Sequence, residues 1–191
     1  MRYTKFFLTP SVLIGLALHF AAAQGATTPA VQGPEAPPAP PTFELDKAGK
    51  RDHINFNLMP TAISVPGMKL SGFANRKLLI FYFSAVCPHC QHAIPFVQKL
   101  ADELTPLGFS SIAIAIKYNN EDDVRNFIKD YKVHIPVFQD ADKTFGDAYG
   151  TGSIPLLIVV NEKGEYIRYK SFNPDETPKQ IKAEASQLAS K

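Results

Sequence analysis

Apolar positions along this chain fall into unbroken runs, alternating runs and three-to-four spaced stripes, and their order predicts an alternating α/β domain. Residues 78–83 (Leu-Leu-Ile-Phe-Tyr-Phe) are apolar without alternation, the pattern of a strand covered on both faces of a sheet. Residues 88–104 then place Ile94, Val97, Leu100 and Leu104 at three- and four-residue spacing, which predicts a helix with one apolar stripe. Over 111–118, Ile112, Ile114 and Ile116 alternate with Ala113 and Ala115, a second strand apolar on both faces. Strand, helix and strand of these lengths make a right-handed parallel crossover unit. Beyond it, 121–131 predicts an amphipathic helix through Val124, Phe127 and Ile128, with acidic residues on its first turn. A short strand (136–138), a short helix (144–149) and another buried strand (156–160) follow. The turn 161–164 leads into an alternating strand over 165–170, and a helix over 175–190, packed through Ile181, Ala185 and Leu188, closes the domain.

The N-terminal part has none of these periodicities. Arg2 and Lys5 precede an apolar stretch over 6–23 that ends in Ala21-Ala22-Ala23, the layout of a secretory signal. Its length also approaches that of an uncleaved membrane anchor. No Cys follows it, which excludes a lipoprotein anchor. Residues 24–42 are rich in Pro and Ala, cannot pack a core, and read as a semi-rigid linker reaching up to ~60 Å at about 3.1 Å per residue. Residues 43–191 are then one domain, with no internal repeat. The protein is expected to be exported to a periplasmic compartment, tethered to the inner membrane if the anchor is retained. The net charge of +2 loses Arg2 and Lys5 with the signal and no acid, leaving zero. Nothing in that balance calls for nucleic acid or an acidic membrane surface.

The only two cysteines, Cys87 and Cys90, flank Pro88 and His89 where the first strand gives way to the first helix. Two thiols at this spacing can close a small disulfide. The first sulfur lies among the unpaired N–H groups of a helix N-terminus, which favour an anion, and Pro88 suits the first helical position. In such surroundings a thiol near pKa ~8.5 can fall to roughly 3.5–7.5. The helix end alone supplies at most ~2 kcal/mol, so a larger effect needs His89. The order on the helix assigns Cys87 as attacking thiolate and Cys90 as resolving thiol. In an oxidising compartment a lone close pair is a catalytic disulfide or is kept reduced by a dedicated partner. A structural disulfide closing so short a loop would constrain the unfolded chain little. A c-type haem site needs His directly after the second Cys, where Gln91 stands. A peroxiredoxin nucleophile needs a Pro and a Thr or Ser that Phe83, Ser84 and Val86 do not supply. Copper(I) or zinc binding by Cys87, Cys90, His89 and His92 is the alternative from another class, although helical side-chain directions oppose their convergence. His53, His92 and His134 otherwise read as surface or structural histidines.

Cys87-Pro88-His89-Cys90 after a buried strand, Pro95 eight residues past the first Cys, and Ser153-Ile154-Pro155-Leu156-Leu157 before a hairpin together resemble the thioredoxin superfamily. The helix at 121–131 and the segment 134–140, ahead of Asp147-Ala148-Tyr149-Gly150, resemble its exported TlpA-like and ResA-like branch. The resemblance covers about residues 56–188. It implies a thioredoxin fold, a central mixed sheet flanked by helices with the TlpA-like inserted helix, with Pro95 kinking the first helix. It also implies thiol–disulfide exchange with cysteine-containing protein substrates, a redox partner that resets the pair, and no cofactor or metal. By the same resemblance Pro155 is the cis-proline opposite the cysteines, and Ile154 and Pro155 bind an extended substrate by strand addition. Ile135-Pro136 is the same dipeptide in the wrong place. Two departures stand out: the family's Trp before the first Cys is Val86, and its acidic residue six before that Cys is Phe81. The Pro-His pair resembles DsbA-type oxidants, whereas the rest resembles reductants of cytochrome maturation.

Overall fold

The computed structural model describes residues 52–169 and 172–189; the segments expected as signal and linker, and the first residues of the expected domain, lie outside the described residues. Six strands form one mixed sheet around β2 (Lys77–Phe83), every residue of which is buried. On one side β2 pairs in parallel with β3 (Phe109–Ala115), which pairs in parallel with β4 (Val137–Gln139). On the other it pairs antiparallel with β5 (Leu156–Val160), which pairs antiparallel with β6 (Tyr166–Tyr169). β1 (Thr61–Ala62) is a two-residue antiparallel edge on β4.

The strand residues divide by parity, because successive side chains face opposite ways. Leu79, Phe81, Phe83, Ala113, Ala115, Leu157 and Val159 face one core. It is filled by α1 (Pro88–Leu104), α2 (Glu121–Asp130) and α4 (Thr177–Ala189) through Ile94, Val97, Leu100, Val124, Phe127, Ile181 and Ala185. Leu78, Ile80, Tyr82, Ile112, Ile114 and Phe138 face the second core, closed by α3 (Thr144–Tyr149) through Phe145 and Tyr149. The alanines of β3 lie on the three-helix face and its isoleucines on the other, so small side chains sit where a helix must approach closely. α2 opens on a capping box, with Asn120 accepting from the Asp123 N–H at 2.7 Å and Glu121, Asp122 and Asp123 in its first turn.

Differences from the sequence reading lie at element ends. The strand expected at 111–118 runs Phe109–Ala115, because the chain leaves the sheet at Ile116 in a turn closed by Asn119 N–H on the Ile116 carbonyl (3.2 Å). Tyr118, beyond that turn, is 76% exposed. The last helix starts at Thr177 rather than 175. Asn173 ties up the preceding turn, its Oδ1 accepting from Asp175 and Glu176 N–H and its own N–H donating to Thr177 Oγ1. β1 and the 3₁₀ turns Leu70–Phe73 and Thr105–Leu107 carry no periodic signal and were not anticipated. Among the described residues no helix is long and apolar enough to cross a membrane.

Candidate active site

β2 ends at Phe83, and the chain turns through Ser84, Ala85 and Val86 onto the N-terminus of α1. Cys87 is the N-cap residue, in extended conformation (φ −86°, ψ 118°), with Pro88 at the first helical position and no side chain capping the helix. The orphan N–H groups of that end therefore face the Cys87 region. Pro88 and His89 are exposed, Val86 is 63% exposed, and Cys87 is half-buried. Cys90, one turn further, is completely buried. Both are free thiols. Burial pushes the Cys90 thiol up to about 12; its hydrogen bond to Cys87 and that residue's charge add to the rise, and the Ser84 backbone N–H opposes it. A pair built this way has one sulfur that solvent can reach and one that ionises only with help.

The floor beneath the pair is apolar. Phe81, in the position of the family's buried acid, has no exposed surface and stacks on Phe83 with ring centroids 5.2 Å apart; Phe83 in turn meets Phe127 at 4.6 Å. The aromatic run 81–83 is thus core. Among the described residues the buried carboxylate is Asp140, on the opposite face, accepting from Tyr82 Oη (3.2 Å), Phe145 N–H (3.0 Å) and Gly146 N–H (2.8 Å). Burial, then Asp140, holds the Tyr82 phenol well above its usual range. Asp140 organises the first turn of α3.

That loop, 150–154, leads to a cis Ile154–Pro155 peptide, whereas among the described residues Ile135–Pro136 is not cis. Tyr82 pairs with Leu156 across β2 and β5, which sets Pro155 level with Phe83 at the end of the sheet where Cys87 emerges. Cys87 and Ile154 pack against the same core cluster. A pocket of about 230 Å³ adjoins the loop, lined by Ile154, Thr151, Tyr82, Tyr118, Lys117 and Lys143 among others. A larger one, about 410 Å³, lies between 56–62 and 67–71 and includes none of the expected site residues.

Sequence reasoning missed the polar residues behind the turn. Ser84 and Asn119 are both 4% exposed and hydrogen-bonded to one another. The signal was a polar residue directly after each of two apolar runs, Ser84 after 78–83 and Asn119 after 111–118. Among the described residues no three His, Cys, Asp or Glu side chains are grouped to hold a metal ion. His92 lies against Phe96 at 5.7 Å, His134 pairs with Asp102 at the surface (3.0 Å), and His53 forms a backbone bridge with Glu165.

The family model described as Redoxin matches residues 23–187. The thiol-disulfide oxidoreductase ResA of Halalkalibacterium halodurans is 27% identical over 124 residues, covering 65% of this chain and 68% of that protein. The ResA of Bacillus subtilis is 23% identical over 101 residues, covering 53% and 56% respectively. The chain thus spans roughly half to two thirds of the length of the curated relatives it matches. A solved secreted thiol-disulfide isomerase of Corynebacterium glutamicum has a TM-score of 0.66 at 17% identity, covering 82% of this chain and 97% of that one. Such likeness shows the fold, which is the thioredoxin fold. The named relatives are thiol–disulfide oxidoreductases, which gives the metal-chaperone alternative no support.

Proposed function

Since the chain belongs to the Redoxin family, we propose that it is an exported thiol–disulfide oxidoreductase acting on cysteine-containing proteins through a mixed disulfide at Cys87. One observation carries the reading: on a single helix end, one sulfur is accessible and its neighbour one turn away is sealed from solvent. A client disulfide can reach Cys87 and cannot reach Cys90. In the reducing direction the Cys87 thiolate attacks a client disulfide, the Cys87–client bond forms, and one client sulfur departs. Cys90 then attacks the Cys87 sulfur. The intramolecular disulfide forms, the second client sulfur leaves, and the Cys90 proton passes to it or to solvent. The chain's dithiol is oxidised and the client disulfide reduced; oxidation of a client is the same path reversed.

Pro88 and His89 tune the pair from the exposed side, and Ile154 with Pro155 forms the edge on which an extended client segment adds as a strand. The Pro-His pair favours a reduction potential above the roughly −270 mV of thioredoxin. A second redox protein resets the cysteines. Residues 1–23 act as export signal or retained anchor, 24–42 as linker and 43–191 as the thioredoxin-like domain, with no nucleic-acid partner, cofactor or metal. The secreted relative of known structure agrees with export. The test is trapping: Cys90→Ser is expected to accumulate mixed disulfides with client proteins, and Cys87→Ser is not. Equal trapping by both variants, or trapping by Cys87→Ser alone, would reverse the assignment.

A further inference from the structure

The turn that delivers Cys87 is held from behind by one side chain. Asn119 Oδ1 accepts from the Ala85 N–H at 3.0 Å, and its Nδ2 donates to Ser84 Oγ at 3.1 Å. Asn119 is itself fixed, its carbonyl accepting from Gln139 Nε2 at 2.5 Å and its N–H reaching the Ile116 carbonyl at 3.2 Å. From the helix side, Gln91 Nε2 donates to the Ala85 carbonyl at 2.8 Å, and Cys87 N–H closes the turn on the Ser84 carbonyl at 3.2 Å. Ser84 and Ala85 are therefore gripped on both sides. The Ser84 backbone N–H is the main-chain donor acting on the Cys90 sulfur, and Cys87 is the titratable group acting on it.

We infer that Asn119 is a positioning residue for the resolving cysteine: by gripping Ser84 and Ala85 it aims the Ser84 N–H at Cys90, giving its transient thiolate a fixed donor where the family's buried carboxylate is replaced by Phe81. This rests on Cys87 attacking and Cys90 resolving. When Cys90 attacks the Cys87 sulfur of a mixed disulfide, negative charge builds on Cys90 as its proton leaves. When a client thiolate attacks the Cys87–Cys90 disulfide, the same charge appears on Cys90 as it departs. A donor set in place before either event stabilises both. The reduced resting state, with Cys90 protonated, gains little from it. Asn119 therefore governs rate and leaves equilibrium alone.

The Ellman disulfide, 5,5′-dithiobis(2-nitrobenzoate), separates the two steps in the reduced full chain. Attack by Cys87 releases one thionitrobenzoate, and displacement by Cys90 releases the second. In Asn119→Ala the first phase is expected to stay within twofold of wild type and the second to slow by about tenfold, the effect of one hydrogen bond to an ionising group. The glutathione-equilibrated potential is expected not to move. Gln139→Leu loosens Asn119 without leaving its amide unpartnered and covers the case in which Asn119→Ala does not fold; it should slow the second phase about threefold. Ser84→Ala keeps the backbone donor and the Asn119–Ala85 bond but loses the Asn119 Nδ2 contact, so it should slow the second phase by about threefold, less than Asn119→Ala does. An unchanged second phase in the folded Asn119 and Gln139 variants, equal slowing of both phases, or a Ser84→Ala effect as large as that of Asn119→Ala would overturn the inference. A single phase in wild type would instead remove the two-step reading on which it rests.

Discussion

The burial of Cys90 has a thermodynamic consequence that can be measured without any client. Its thiol is raised from 9.0 to about 12, chiefly by burial. Between those values the folded reduced chain holds a proton that the unfolded chain has released, so unfolding is favoured as pH rises. Stability on this account is fully present below pH 9 and drains away towards pH 12. The slope approaches ~1.36 kcal/mol per pH unit. Between pH 8 and pH 10 the loss is about 1.4 kcal/mol by the same linkage. With a urea slope of about 1–3 kcal/mol/M, the unfolding midpoint falls by roughly 0.5–1.4 M. The measurement is urea unfolding under a non-thiol reductant at pH 7, 8, 9 and 10, for the natural chain and for Cys90→Ala. The quantity of interest is the difference between the two curves, which cancels the titration of groups they share. Above pH 10 Tyr82, also raised, adds a loss of the same sign to both curves. A difference that stays flat from pH 8 to pH 10 would mean that Cys90 ionises as easily in the fold as outside it, and the sealed-thiol argument would be refuted.

His89→Ala is expected to lower the reduction potential of the Cys87–Cys90 couple in glutathione equilibration, by about 30 mV for each ~1.4 kcal/mol of thiolate stabilisation lost. A potential at or below roughly −270 mV, unchanged in that variant, would instead mark the protein as a reductant. At Gly150 a β-carbon would stand 2.4 Å from the Gly146 carbonyl oxygen, with no flexible side chain to yield. Gly150→Ala is thus expected to cost about 2 kcal/mol of strain, seen as a fall of roughly 4–8 °C in Tm, with slower client exchange because the loop to Ile154 is displaced. An unchanged Tm would show that the loop relaxes freely.

Most of the sheet and the helices was legible because burial on two faces and on one face leave different periods in the sequence. β2, α1, α3 and β5 were read closely for that reason. β1 was not, since two residues cannot show a period, and the end of β3 was misread because Ile116 continues the alternation after the backbone has turned. In the site, the cysteine spacing and the Pro-His insert were visible as residue types. The grip of Asn119 on Ala85 was invisible, because it joins residues 34 positions apart through a backbone N–H that any residue would supply. The same holds for Asp140, whose partners Phe145 and Gly146 contribute only main chain.

The exposure of Pro88 and His89 above a sealed aromatic floor separates two properties that many proteins must change together. Phe81 and Phe83 hold the domain through packing alone, while the dipeptide between the cysteines touches mainly solvent. With Pro88 and His89 tuning the pair as proposed, substitutions in that dipeptide would reset its electron affinity with little change in folding free energy. On that proposal, a lineage carrying this arrangement would drift from donor to acceptor of electrons by two surface changes, keeping its scaffold intact throughout.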